Sequence, residues 1–472
     1  MTSATAPQAV PATDLIESRA FNLTDLGNAR RLTSLFGRGL RYCANLGGWH
    51  VWDGKRWAKD DLRRIEARAK EIPADILLEA SKARDKTNRG ELARFALKTE
   101  AEARIRAMIS LAESEPGIIA TPDQFDRDPW LFNVNNGTLD LRTGELLPHD
   151  PANLITKLAP VDFDPEADCP LFREFLAQVI PQAETATYVQ TAVGVSMIGK
   201  VLEHVLLFLH GGGDNGKTTF LKTMQGLFGD YAQQADPELL LAQKYTPHPE
   251  GRAQLAGARM VVTVEVADGR RMAEGLVKQL TGGDTLRARH LYHDSFQMEP
   301  TWTIWLGANH KPAIKGTEHA IWRRIKLVPF TVQVPKEDQD PALSEKMALE
   351  SSGILNWALA GAMQYQKHGL HEPLSVLEAV GAYRSESDIL GGFLEDETDR
   401  GTGKWVGSSA LYERYQIWCK ESGEHPISQR RMAGALRDRG FERVHHWETR
   451  RAIYEGLDLI PRMEELHRYT AD

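Results

Sequence analysis

The tightest constraint on this chain is the run His204-Val205-Leu206-Leu207-Phe208-Leu209-His210, followed at once by Gly211-Gly212-Gly213-Asp214-Asn215-Gly216-Lys217-Thr218-Thr219. An apolar run without polar alternation suits a strand buried on both faces of a parallel sheet. The segment after the glycines, TTFLKTMQGLF, carries a helical pattern. Strand, glycine loop and helix together turn backbone N–H groups toward an anion at the helix N-terminus. The loop fits GxxxxGK[ST] in the context that motif requires. The competing reading, a glycine turn that happens to precede a lysine, does not account for both flanking elements. The expected site is therefore a triphosphate cradle formed by Gly211 to Thr219. Lys217 is placed on the β/γ oxygens, and the Thr218 hydroxyl is offered to Mg²⁺.

Three more apolar runs repeat the strand pattern: MVVTVEV, TWTIWLGAN and RIKLVPF. A triphosphatase also needs an acid at the tip of a neighbouring strand, and Glu265 supplies one, as metal-shell ligand, as water-activating base or as both. Asp268 precedes Gly269 and reads as a turn residue. Asn309 ends the third run, where an amide orients the lytic water or touches the γ-phosphate; the plainer reading is a polar residue opening the turn before Pro312. Arg323 and Arg324 are adjacent and so point in different directions. One is expected to complete a neighbouring subunit's site and the other to serve structure.

The rest of the chain surrounds this α/β core. With 472 residues it exceeds one ordinary hydrophobic core. Its 42% hydrophobic and 26% charged residues contain no apolar run near the roughly 20 residues of a membrane span. Cys43, Cys169 and Cys419 lack CxxC spacing, which excludes a disulfide framework and a cysteine-rich zinc site and fits a reducing cytoplasm. A net charge of -8 excludes a histone-like positive coat but not a local basic face. Residues 1–19 read as a disordered tail, and 20–195 as an α+β region with hairpin turns at Asp53-Gly54, Asn136-Gly137 and Thr143-Gly144. Between about Asp60 and Glu113 the pattern predicts two or more amphipathic helices. The ATPase core is set at 196–335, a helical linker at 336–385 and a small basic domain at 386–472. In that last domain Ser408 or Ser409 caps one helix, Ser428 caps a second, and a hairpin follows, which spells a winged helix.

The order of these motifs resembles the superfamily 3 helicases, in particular the phage and plasmid primase-helicase family related to poxvirus-type NTPases. The resemblance rests on the glycine loop, Glu265, VKQLTGGDTLRAR from Val277 to Arg289, Asn309 and Ala320-Ile321-Trp322-Arg323-Arg324. It extends to LTDLGNARRL, WDGKRW, NNGTLDL and PHDP upstream, and downstream to LYERYQIWCKESGEHPISQRRMAGALRDRGF. Many members carry paired acids where this chain has Val264 before a single Glu265. The resemblance implies an AAA+-like core, a ring that is a hexamer, ATP held between neighbours, and 3′-to-5′ movement on single-stranded DNA. It also implies a hairpin in TLRARHLYHDSFQM that projects into the channel.

That hairpin places Arg289, His290 and His293 near its tip, with Tyr292 against sugar or base and Lys278 upstream. A surface hairpin with solvated charges is the plainer reading. His290 and His293 lack the further ligands of a zinc site. Arg430, Arg431 and Arg437, beside Gln429, fall on the winged-helix recognition helix, with Arg450 and Arg451 in the wing. Expected partners are DNA, further copies of the chain and a separate primase or polymerase, and no membrane. The expected setting is the cytoplasm of a bacterial host, with a phage or plasmid origin. Two further classes stay in view: a primase, for which Asp126-Arg127-Asp128 is a DxD that reads as a turn, and an origin-binding protein that uses ATP to assemble.

Overall fold

The computed structural model describes residues 21–243, 250–266, 269–289, 295–314, 319–423, 425–447 and 450–462. At its centre is a five-stranded parallel sheet. The strands, in spatial order, are Ile325–Pro329, Leu206–His210, Thr303–Ala308, Met260–Val264 and Ala232–Gln234. All four apolar runs of the sequence are strands of this sheet. Alternate residues of each go to opposite faces. Leu207, Leu209, Val262, Trp305 and Val328 join one core, and Leu206, Phe208, Val261, Ile304 and Leu327 join another. Both faces are covered, which is why these strands show no polar alternation.

The first of those cores reaches well beyond residues 196–335. It takes in Phe132 and Leu139 of a three-stranded antiparallel sheet, made of Leu131–Val134, Gly137–Asp140 and Glu145–Leu147. It also takes in Phe172 from helix Pro170–Val179, Val189 from helix Ala183–Met197, and Ile354 from helix Ser351–His368. Helices Ala183–Met197 and Ser351–His368 cross so closely that a Cβ on Gly194 would lie 2.0 Å from the Ala362 nitrogen. One on Gly361 would lie 2.1 Å from the Gln190 oxygen. Residues 336–385 are thus packed against the sheet-bearing body.

Arg259 ties the same regions together. Its guanidinium lies 4.5 Å from the Tyr231 ring centroid and donates to the carbonyls of Met197 at 2.5 Å and Leu131 at 2.7 Å. Burial holds its pKa below the ordinary arginine value. Two carbonyl acceptors and an aromatic face replace the water it has lost.

The N-terminal portion has its own core, containing Leu32, Leu40, Ile76, Phe95 and Met108. Four helices, Arg64–Ala69, Ile72–Lys82, Lys86–Thr99 and Glu102–Ala112, occupy the expected helical stretch. Thr24 caps Asp25–Phe36 by accepting from the Gly27 N–H. Asp53-Gly54 makes the expected turn, with Gly54 at φ +101° and the Asp53 carboxylate accepting from the N–H groups of Lys55 and Arg56.

The second hairpin turn differs from expectation. Val134 pairs with Gly137, so the turn residues are Asn135 and Asn136. Gly137 lies in the strand, and its lack of a side chain answers a close approach, since a Cβ there would stand 2.5 Å from the Leu147 oxygen. Gly144, at φ +79°, closes the third turn as expected. Asp126 and Asp128 also have local work. Asp126 sits at φ +49° and accepts from Thr156, while Asp128 pairs with Arg142.

Near the C-terminus a further core gathers Leu390, Phe393, Leu411, Tyr415, Met432 and Leu457. It lies among helices Ile389–Glu397, Ser408–Glu421 and Gln429–Asp438 and an antiparallel sheet of Thr398–Gly407, Ala452–Leu459 and Arg443–His445. Ser408 is the first residue of its helix and Gly407 holds the cap position, correcting the expected serine cap. Ser428 is at the cap of its helix, but its side chain makes no capping bond. Among the described residues no helix is long and apolar enough to cross a membrane.

Candidate active site

The parallel register determines what meets at one edge of the sheet. Ala308 is level with His210, and Gly307 with Val264. The chain therefore leaves all three strands on the same side, delivering Gly211, Asn309 and Glu265 together. Ligands gather at such carboxyl ends. Neighbouring strands lie about 4.8 Å apart, so Asn309, directly after the middle strand, stands between the glycine loop and Glu265.

The loop from Gly211 to Gly216 leads directly into helix Lys217–Phe228. Gly211 is fixed by a close approach, since a Cβ would stand 2.0 Å from the Phe330 oxygen. Gly216 has φ +79°, and a Cβ there would meet Val179 at 2.7 Å and Phe175 at 2.9 Å. Asp214 also takes the left-handed region, at φ +57°, and its carbonyl accepts from the Val334 N–H at 2.7 Å. Asn215 is buried and donates through Nδ2 to the carbonyls of Gly212 and Phe330.

Lys217 is only 6% exposed. Its Nζ stands 2.9 Å from the Gly211 oxygen, 3.0 Å from Gly212 O, 2.8 Å from Asn215 Oδ1 and 2.9 Å from Asn309 Oδ1. An ammonium has three N–H bonds, so three of these four acceptors are met at once. Burial pulls its pKa down to about 8. Nearby, His210 is held below the ordinary histidine value by burial and by the Lys311 and Lys217 charges.

Glu265 follows its strand at φ +64° and donates its N–H to the Gly307 carbonyl at 3.0 Å. A left-handed conformation in a residue with a Cβ costs about 1–2 kcal/mol, and such positions cluster at functional sites. Its side chain is exposed to a cavity of about 900 Å³, lined also by Gly213 to Thr219, Asn309 and His310. Thr218 and Glu265 thus present oxygen donors to one space, a set that suits Mg²⁺ beside a phosphate. No group of three or more His, Cys, Asp or Glu that would hold a metal unaided occurs among the described residues. The cavity is also lined by Phe175, Gln178, Val334 and Asp338 to Pro341 together with Leu343. Sequence reading missed these residues. They come from segments before and after the sheet and carry no local motif.

The two arginines part company. Arg324 is buried and donates from Nε to the Thr281 hydroxyl at 3.2 Å, and burial, then the Arg323 charge, lowers its pKa. Arg323 is exposed and lies outside the 900 Å³ cavity, on a smaller one with Glu203, His204, Lys326 and Glu372. Lys278, on helix Glu274–Leu280, does not line the 900 Å³ cavity either.

The expected hairpin is present as Leu286–Arg289 paired with Ser295–Met298, and Arg287 and Arg289 are exposed. His290, Tyr292 and His293 lie outside the described residues. Arg430, Arg431 and Arg437 are exposed on helix Gln429–Asp438.

Comparison with known proteins agrees with the family resemblance. The family described as "D5 N terminal like" matches residues 29–181, and a family of unknown function, DUF5906, matches residues 209–324. A protein of Acanthamoeba polyphaga mimivirus named "Putative helicase" is 27% identical over 63% of this chain and 34% of its own length. One of Frog virus 3, also named "Putative helicase", is 23% identical over 65% of this chain and 40% of its own length. A "Putative primase" of African swine fever virus is 27% identical over 43% of this chain and 22% of its length. The chain spans a third or so of the first two relatives' length. The solved NrS-1 C terminal region superposes with a TM-score of 0.45 at 12% identity, over 75% of this chain and 89% of that one. The chain is similar to D5-like primase-helicases of the superfamily 3 kind.

Proposed function

We propose that this chain is the ATP-hydrolysing motor of a DNA helicase of the primase-helicase kind, with a P-loop, AAA+-like core and a C-terminal winged helix. The observation that carries the reading is the convergence of Lys217, Thr218, Asn309 and Glu265 on one cavity at the carboxyl edge of a parallel sheet. The triphosphate lies along Gly211 to Thr219, where backbone N–H groups and the Lys217 ammonium meet its charge. The apolar lining residues Phe175, Val334 and Leu343 are assigned to the base. A magnesium ion beside Thr218 and Glu265 would screen the β/γ oxygens. Asn309, already hydrogen-bonded to Lys217, orients the attacking water, and the Glu265 carboxylate accepts its proton.

Exposed Arg323, rather than buried Arg324, fits the residue that reaches a neighbouring copy's γ-phosphate, which makes the working unit a ring, read as a hexamer. Arg289 on the hairpin and Arg430, Arg431 and Arg437 on the C-terminal helix hold DNA phosphates. Primer synthesis through Asp126-Arg127-Asp128 is less favoured, because these acids are committed to Thr156 and Arg142.

The test is ATP turnover and strand displacement on forked DNA. Lys217→Ala is expected to abolish both. Turnover at a near normal rate in that variant would refute the assignment.

A further inference from the structure

The small C-terminal sheet ends in an unusual surface. Trp447, just past strand Arg443–His445, is 80% exposed, and Trp405, on strand Thr398–Gly407, is 49% exposed. His446 lies between them. Its ring centroid is 4.8 Å from that of Trp405 and 6.0 Å from that of Trp447, the second pair being near-parallel at 24°. Tryptophan normally gains by burial, so an indole left mostly in water at the end of an aromatic row is a surface awaiting a flat partner. The local backbone holds the row in place. The His446 N–H donates to the Arg451 carbonyl at 2.9 Å, and the Arg450 N–H to the His446 carbonyl at 3.0 Å, with Arg450 at φ +58°. Arg443, Arg450 and Arg451 are all exposed around it, against Glu442 and Glu455.

We propose that this hairpin end is a stacking platform for unpaired bases of DNA, with Trp447 and Trp405 taking base faces and Arg443 and Arg450 the adjoining phosphates. Indole faces stack on any base, and neighbouring cations add backbone attraction, so the platform grips single strands without choosing sequence. The recognition-helix arginines would hold duplex backbone, and the platform would hold the strand emerging from it. This deepens the DNA-binding reading given above and rests on it.

The test measures equilibrium binding of the full chain to a fluorescent single-stranded oligonucleotide, without nucleotide, across a salt series. Trp447→Ala is expected to weaken binding about 5- to 100-fold. Trp447→Phe, which keeps a ring, is expected to restore most of the loss. Arg450→Ala should lower the salt slope by about 0.7, which loss of the indole should not do. Thermal melting of each variant checks that the small domain still folds. Wild-type affinity in Trp447→Ala, or equal loss in the Ala and Phe variants at unchanged melting, overturns the platform alone. Failure of the wild-type chain to bind any single strand overturns the platform and the helicase reading together.

Discussion

Raising the pH should loosen the grip on ATP through Lys217 alone. Burial sets this ammonium's pKa at about 8 in the free protein. Facing phosphate oxygens, it returns toward the ordinary lysine value of about 10.4. Nucleotide therefore prefers the protonated form, and affinity is full below the free-state pKa and falls as pH rises through it. From about pH 7.5 to about pH 9 the protonated fraction drops from roughly three quarters to roughly one tenth, which weakens binding about eightfold, or ~1.2 kcal/mol. His210, held below the ordinary histidine value, is neutral throughout that interval. The assay is equilibrium titration with a fluorescent ATP analogue at fixed ionic strength and excess Mg²⁺. Lys217→Arg stays charged at every pH used, so it should bind more weakly overall but with a flat profile. A wild-type affinity constant to within about twofold, or the same slope in the arginine variant, refutes the reasoning.

Two other perturbations separate site from scaffold. Arg323→Ala should lose ATP turnover with an unchanged melting midpoint, whereas Arg324→Ala should lower the midpoint by removing the buried guanidinium that donates to the Thr281 hydroxyl and the Ala320 carbonyl. Mixing Arg323→Ala with Lys217→Ala subunits should recover part of the turnover, and no recovery counts against action between copies. Gly194→Ala drives a methyl into the backbone at Ala362, an overlap that costs about 1–3 kcal/mol or more. Melting of the sheet-bearing body should fall by several degrees, and an unchanged midpoint would show that the two helices have slack.

What the sequence disclosed followed from how locally each feature is encoded. The strands at Leu206, Met260, Thr303 and Ile325 were legible because burial on both faces leaves an uninterrupted apolar run. The glycine loop was legible because its conformation demands particular residues at fixed offsets. Glu265 and Asn309 could be placed because each directly follows its strand, and the parallel register aligns strand ends. Other features depend on distant contacts. Phe175 and Leu343 come from segments before and after the sheet strands in the chain, and only packing brings them to one cavity. The same holds for the apparent boundary near residue 196, where helix Ala183–Met197 packs on Ser351–His368 and shares the sheet's core. Gly137 was misleading for a related reason, since its missing side chain answers to Leu147 on the next strand rather than to a turn.

Arg259 carries a mechanical implication. It immediately precedes the strand that leads to Glu265, and it fastens that strand's entry to Leu131 and to the end of helix Ala183–Met197. A cation whose hydration has been exchanged for two carbonyls and an aromatic face cannot slide or swivel without stranding its charge. Glu265 is therefore mounted on a strut running back into the N-terminal half, and under the proposed function any movement on hydrolysis would be taken up at joints elsewhere.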